Sequence, residues 1–379
     1  MKKILLSAAT IATLSTANTS SELVILKAQM AQMMKKIEKL ETQQSSKDVV
    51  EVASITPKKK GTLVKSKAPV LKFSGKHYLG FVHDSENDSN KFETRRNYFQ
   101  VKAYFKENPK DYMRITLDTF HNTKDDGKDK GSWEVRLKYA YLYLDEVLPF
   151  TGVEIGQAHR PWIDYEEHHG WNYRSVSKVF VEAHDGAHFT NSSDLGVNFK
   201  TKTEYFSSEL GIFNGEGYHG VEDGNGLSGE WRLTGHLLGS GKKHVHKHDI
   251  YADVSFFGQY NTDYKAKGDD FVWYGLHAVY NQPEFLLAGQ YIQATDGGDS
   301  KEGIGYSVNG EFRFFQKWNL LGRYDYFELD NVDEERERVL GGISYQYNKN
   351  VEFIVNYLKE EVNNDTKTDA IMLSTEVNW

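Results

Sequence analysis

The sequence predicts an all-β chain, an up-and-down antiparallel transmembrane β-barrel of about sixteen strands, with a short N-terminal helical coiled-coil segment before it. Three observations predict it. Apolar and polar residues alternate at period two from Val70 onward, short and long connections succeed one another, and the chain finishes flush on an aromatic strand residue, Trp379.

Composition agrees with that class. Tyr (23), Phe (21) and Gly (32) are plentiful among 379 residues and Pro is scarce at 6, which favours strands and tight turns. Charged residues make up 26% and mean hydropathy is −0.62. A barrel alternates lipid-facing and lumen-facing residues, so such an average does not exclude a membrane. No run of 18 apolar residues exists, and that excludes a transmembrane helix. The absence of Cys removes disulfides, thiolate metal sites and cysteine catalysis together. A net charge of −8 is wrong for a nucleic-acid partner, whose phosphates demand a basic stripe.

The elements follow in order. Residues 1–17 read as a signal peptide: Lys2 and Lys3 lead an apolar stretch from Ile4 to Leu14, and Ser15-Thr16-Ala17 supply the small residues of a cleavage site. Residues 18–45 place Leu23, Leu26, Met30, Met33, Ile37, Leu40 and Gln44 on one heptad seam. That seam suits a short periplasmic coiled coil held within an oligomer, or a lone amphipathic helix. Residues 46–69, with Pro57, Lys58 to Lys60, Gly61 and Pro69, read as a linker. The barrel occupies 70–379.

Within the barrel, Phe99, Val101 and Ala103 oppose Tyr98, Gln100 and Lys102. Trp133, Val135, Leu137, Tyr139, Tyr141 and Tyr143 form an expected lipid face, opposite Glu134, Arg136 and Lys138. Short connections such as Gln282-Pro283 and Asn348-Lys349 suit periplasmic turns. Long ones at 84–92, 122–131, 161–191, 214–228, 261–269 and 295–302 suit external loops. The connection at 240–247 is too long for a turn. A strand at 178–184 would raise the count to eighteen.

From about Arg95 to Arg232 the chain resembles the phosphate-selective porin O and P family. The matching stretches are Arg95-Arg96 with NYFQVKAYFKE, then YMRITLDTF, LKYAYLYL, VEIGQAHRPW, DLGVNF and LGIFNGEGYHG. The resemblance implies a sixteen-stranded trimeric channel with an N-terminal periplasmic coiled coil. It weakens after residue 240, and Trp379 stands where most such barrels end in Phe. Lumenal Arg and Lys are interleaved with Asp and Glu, so the architecture carries over and the phosphate substrate does not.

The expected function is therefore a porin of the Gram-negative outer membrane, passing small hydrophilic solutes and ions by passive diffusion. Its expected partners are the lipid bilayer, two further copies in a homotrimer, and the barrel-assembly machinery through the strand ending at Trp379. Candidate pore-lining residues on the strands are Arg96, Lys102, Arg114, Asp118, Glu134, Arg136, Lys138 and, at a strand end, Arg160. The resemblance points to the 161–191 loop as the constriction, contributing Asp164, Glu166, Glu167 and Arg174; opposed charges there would focus a transverse field. A solvated surface loop is the alternative.

The run 166–169 matches no zinc spacing, the His-rich run 242–248 suits a solubilising periplasmic turn ahead of a weak transition-metal site or one that gains charge below neutral pH, and Asp125–Asp129 and Asp223–Gly226 read as loop tips. No metal and no cofactor is expected. No nucleophile elbow or phosphate-binding loop occurs, so the chain is not expected to be an enzyme. The competing readings are an anion- or phosphate-preferring channel, an outer-membrane barrel enzyme with a converging nucleophile and base, and a soluble secreted β-protein that binds carbohydrate.

Overall fold

The computed structural model describes residues 69–122, 131–220, 226–264, 270–296, 301–330 and 332–379. The signal peptide, the coiled coil, all of the linker but Pro69, and most of the two acidic loop tips lie outside them.

Period-two alternation gives each segment one apolar and one polar side, and sixteen such segments form strands. They are β1 (Val70–Asp84), β2 (Ser89–Tyr104), β3 (Tyr112–His121), β4 (Trp133–Leu148), β5 (Thr151–His159), β6 (Ser193–Lys202), β7 (Phe206–Phe213) and β8 (Ser228–Leu238). The second half comprises β9 (Tyr251–Asn261), β10 (Phe271–Gln282), β11 (Phe285–Asp296), β12 (Gly303–Phe314), β13 (Trp318–Leu329), β14 (Glu334–Asn348), β15 (Val351–Val362) and β16 (Asp365–Asn378). Each pairs antiparallel with its sequence neighbours, and β16 pairs with β1 to close the barrel. Closure leaves no strand edge unpaired. At the seam Gly75 and Trp379 exchange backbone hydrogen bonds of 2.9 and 3.1 Å, and the Trp379 indole donates to His77 at 2.9 Å.

The polarity of the barrel is inverted relative to a water-soluble one. Leu137, Leu276, Val308 and Leu320 stand exposed on the outer surface, whereas Arg323, Asp325, Glu311 and Arg338 are buried inside. An apolar outer band with a polar interior is the arrangement that hydrocarbon outside and water inside require.

Odd-numbered strands rise from what is here called the turn end to the loop end, and even-numbered strands return. Asn363 and Asn364 make a two-residue connection with φ of 53° and 62°, the left-handed region that Asn tolerates and that a type I′ hairpin demands. The segment 178–184 forms turns, so the count is sixteen and not eighteen; the long connection instead holds one short helix, α1 (Ile163–His169).

Bulges interrupt β2 and β4, and the one on β4 alters the predicted facing. On β2, Tyr78 pairs with Arg96 and Leu79 with Thr94, which leaves Arg95 extra. On β4, Thr116 pairs with Tyr139 and Leu117 with Leu137, which leaves Lys138 extra. A bulge shifts the alternation by one. Trp133, Val135 and Leu137 keep the outer face as expected, but Tyr139, Tyr141 and Tyr143 turn to the lumen, correcting their assignment to lipid.

Candidate functional site

The 160–192 connection lies inside the barrel. Its apolar residues drive this: Trp162 stacks on Phe257 at 3.6 Å, Phe180 meets Phe327, and Phe189 packs on Phe271 and Trp273. The partners are lumen-facing residues of β9, β10 and β13, so this side of the inner wall carries an apolar patch and the loop covers it.

A buried loop must find partners for its backbone, and the wall supplies them. Arg95 donates to the carbonyl of Ser175 (2.8 Å), Arg323 to Lys178 (2.9 Å), Arg336 to Gly186 (3.0 Å), Asn309 to Gly170 (2.7 Å) and Tyr251 to His169 (2.7 Å). In α1, Glu166 accepts from Trp162 Nε1 (2.7 Å) and Gln290 Nε2 (2.6 Å). Burial raises its carboxyl to about 7, because an ionised carboxylate is costly out of water.

The other half of the lumen stays open. A chamber of about 680 Å³ is bounded by β1 to β8, by α1 and by the turn-end connection at 239–250. The loop presents Asp164, Glu167 and Arg174 to it; Arg174 pairs with Glu167 and, at 2.7 Å, with Glu182. The strands present Lys102, Arg114, Lys138 and Lys200. Most lumenal carboxylates are already neutralised: Asp118 by Arg136 (2.9 Å), Glu154 by Lys200 (3.1 Å), Glu209 by Arg232 (3.2 Å), and Asp325 by Arg338 (2.6 Å). By contrast Lys102, Arg114 and Lys138 have no ion-pair partner among the described residues.

The connection after β8 also enters the lumen. Lys247 pairs with Glu311 at 2.7 Å and donates to Tyr173 of the inserted loop at 3.1 Å. Val245 packs on lumen-facing Tyr251, Val279 and Leu286. His244 lies 5.9 Å from His168, ring centre to ring centre. Among the described residues no group of three His, Asp or Glu is arranged to hold a metal ion.

The structure thus brings Lys102, Arg114, Lys138, Asp164, Glu167 and Arg174 together around one chamber. Arg96, Asp118 and Arg136 form a cluster one step nearer the loop end, with Arg96 3.5 Å from Asp118. Glu134 accepts from Asn122 at 2.6 Å, outside the chamber lining. Two candidates are sequestered: Arg160 is locked to Glu230 at 2.5 Å, and Glu166 points into the wall.

The lumenal tyrosines, His159 and the 239–250 connection carried no sequence signal of their place. Ser207, His236 and Asp253 also converge, with Oγ to Nε2 at 2.9 Å and Nδ1 to Oδ1 at 2.7 Å. Acyl transfer needs oxyanion donors beside such a relay. Ser207 is paired on both sides within the sheet, and Arg232 donates to its Oγ at 3.0 Å, so the relay is braced as wall structure.

No family model matches the chain, and no curated protein does. Solved structures match over most of its length. OmpF of Salmonella typhi, in complex with daunomycin, aligns with a TM-score of 0.60 at 15% identity, covering 83% of this chain and 98% of that one. The fold is a porin barrel. A loop-deleted OmpT of Vibrio cholerae gives 0.59 at 13% identity, covering 82% and 100%. The anion-selective porin of Comamonas acidovorans gives 0.56 at 10%, covering 82% and 99%. These likenesses concern the fold and do not show kinship with the phosphate-selective O and P family.

Proposed function

We propose that this chain is an outer-membrane porin through which small hydrophilic solutes and ions diffuse down their gradients. One observation carries the reading: a closed sixteen-stranded barrel with an apolar outside and a charged, cavity-bearing inside suits no medium except a bilayer. The turn end then faces the periplasm and the loop end the exterior. The order of the motifs from Arg95 to Arg232 supports kinship with the phosphate-selective O and P porins, and with it a trimer. Delivery by the barrel-assembly machinery through the strand ending at Trp379 belongs to the same proposal.

Anion preference is the second reading, favoured by a specific imbalance. Lys102, Arg114 and Lys138 face the chamber without carboxylate partners, while Asp118, Glu154, Glu209 and Asp325 are paired. Fixed charges on low-dielectric walls focus the field and enrich the opposite ion. Asp164 and Glu167 on the loop face those cations, so a transverse field accompanies a modest net preference.

In a planar bilayer, the folded chain should give single-channel current whose reversal potential in a KCl gradient has the anion-selective sign. Neutralising Lys102, Arg114 and Lys138 together should move that potential toward the cation side. Absence of current would reject the channel, and a cation-selective potential would reject the anion preference alone.

A further inference from the structure

On the side that the inserted loop leaves open, the wall carries tyrosines at one level of three adjacent strands. Tyr104 pairs with Tyr112, and Tyr112 with Tyr143, across β2, β3 and β4. Their ring centres are 5.3 and 5.1 Å apart. The next lumen-facing level sets Lys72, Lys102 and Arg114 side by side and ends in Tyr141. Lys102 stands over the Tyr112 ring at 4.6 Å, and Arg114 over Tyr139 at 4.4 Å.

Two details mark this wall as built. The bulge at Lys138 is what turns Tyr139, Tyr141 and Tyr143 inward, and bulges recur where a side chain must be re-aimed beside a functional site. On β5, a Cβ at Gly152 would come within 2.4 Å of the Tyr143 hydroxyl, so a glycine there leaves the ring its place.

The chemistry of the two levels is complementary. Aromatic faces attract the flat or C–H-rich face of a ring. Arg114 spends Nε on Thr116 and one terminal nitrogen on Tyr141 and His159, which leaves its other terminal nitrogen, beside Lys102, for an anionic oxygen. We propose that this wall is a binding site for carboxylates that carry a six-membered ring, the ring lying on the Tyr104–Tyr112–Tyr143 band and the carboxylate meeting Lys102 and Arg114. Aromatic acids and sugar acids share that chemistry. The site rests on the channel reading for access to its solute, and it selects by stacking and charge together, where a fixed field alone selects by charge.

The test compares half-blocking concentrations of benzoate, galacturonate, acetate and glucose on the current of the folded full-length chain, together with calorimetric binding of benzoate in detergent. At least one ring carboxylate should block at about tenfold lower concentration than either acetate or glucose, the size of one good stacking contact. Block by benzoate alone assigns the site to aromatic acids, and block by galacturonate alone to sugar acids. Tyr112→Leu with Tyr143→Leu should close most of that gap; should the pair fail to fold, Lys102→Gln should weaken ring carboxylates and leave glucose where it was. Equal block by all four solutes would overturn the site while the channel stands. Benzoate binding without any current would overturn the channel while the site stands.

Discussion

Leu137 and Tyr139 stand two residues apart on β4 and meet different solvents, because Lys138 between them is the extra residue of a bulge. Leu137 is 45% exposed on the outer face, whereas Tyr139 is buried beside Arg114 and His159 in the lumen. An Arg placed on the lipid face near the midplane costs about 2–4 kcal/mol. Leu137→Arg should therefore lower folding stability in lipid by about that amount, and Tyr139→Arg should escape the lipid penalty. Denaturant titration in vesicles reads both, and equal penalties would show that the bulge is misplaced. Glu166 makes a second prediction at this scale. Its folded value of about 7 stands above the ordinary 4.5, so between those pH values the folded chain holds more protons than the unfolded one. Stability from this group is accordingly lost as pH rises through that window. Glu166→Gln should raise the unfolding temperature at pH 8 and change it little at pH 5; turning the Gln290 amide over would give the new amide an acceptor. A gain of equal size at both pH values would refute the buried neutral acid.

Among the elements, the connection at 239–250 departs most from a porin turn. It reaches inward because Val245 finds an apolar lumenal patch and Lys247 finds Glu311 and Tyr173. It therefore stands as a floor below the inserted loop. Replacing residues 241–247 with a two-residue turn should enlarge single-channel conductance, and unchanged conductance would mean that this floor does not limit the current. Its excess length was legible in the sequence, but its direction was not, since the residues that receive it come from β9, β10, β11, β12 and the 160–192 loop. The same holds for that loop. Its charges marked it as a candidate, yet what seats it is the pairing of Trp162, Phe180 and Phe189 with rings from β9, β10 and β13.

At the scale of the whole molecule, the barrel divides its lumen into a side with an apolar patch that the loop fills and a polar side that remains a chamber. Strands β9 to β11 and β13 to β15 carry apolar residues on both faces in part of their length, as Phe257, Trp273, Phe327 and Ile354 demonstrate, and simple alternation does not distinguish lipid from a covering loop. Charge follows the same division. The acidic total of −8 does not describe the chamber, where pairing removes most carboxylates from the field and leaves Lys102, Arg114 and Lys138 among its unpaired cations. Ion preference is therefore a property of which charges meet, and composition is silent on that.

Local pattern was sufficient for the strand number, the antiparallel order and the outer face of most strands, because side-chain direction in a strand alternates with a strict period of two. That same strictness is why one inserted residue defeats it. Arg95 and Lys138 look ordinary in the chain, and only pairing against β1 and β3 reveals them as bulges that re-aim the residues beyond. The inner surface, from the seated loop to the tyrosine wall and the unpaired cations, is set by contacts between residues far apart in sequence, and those exist only once the barrel has closed.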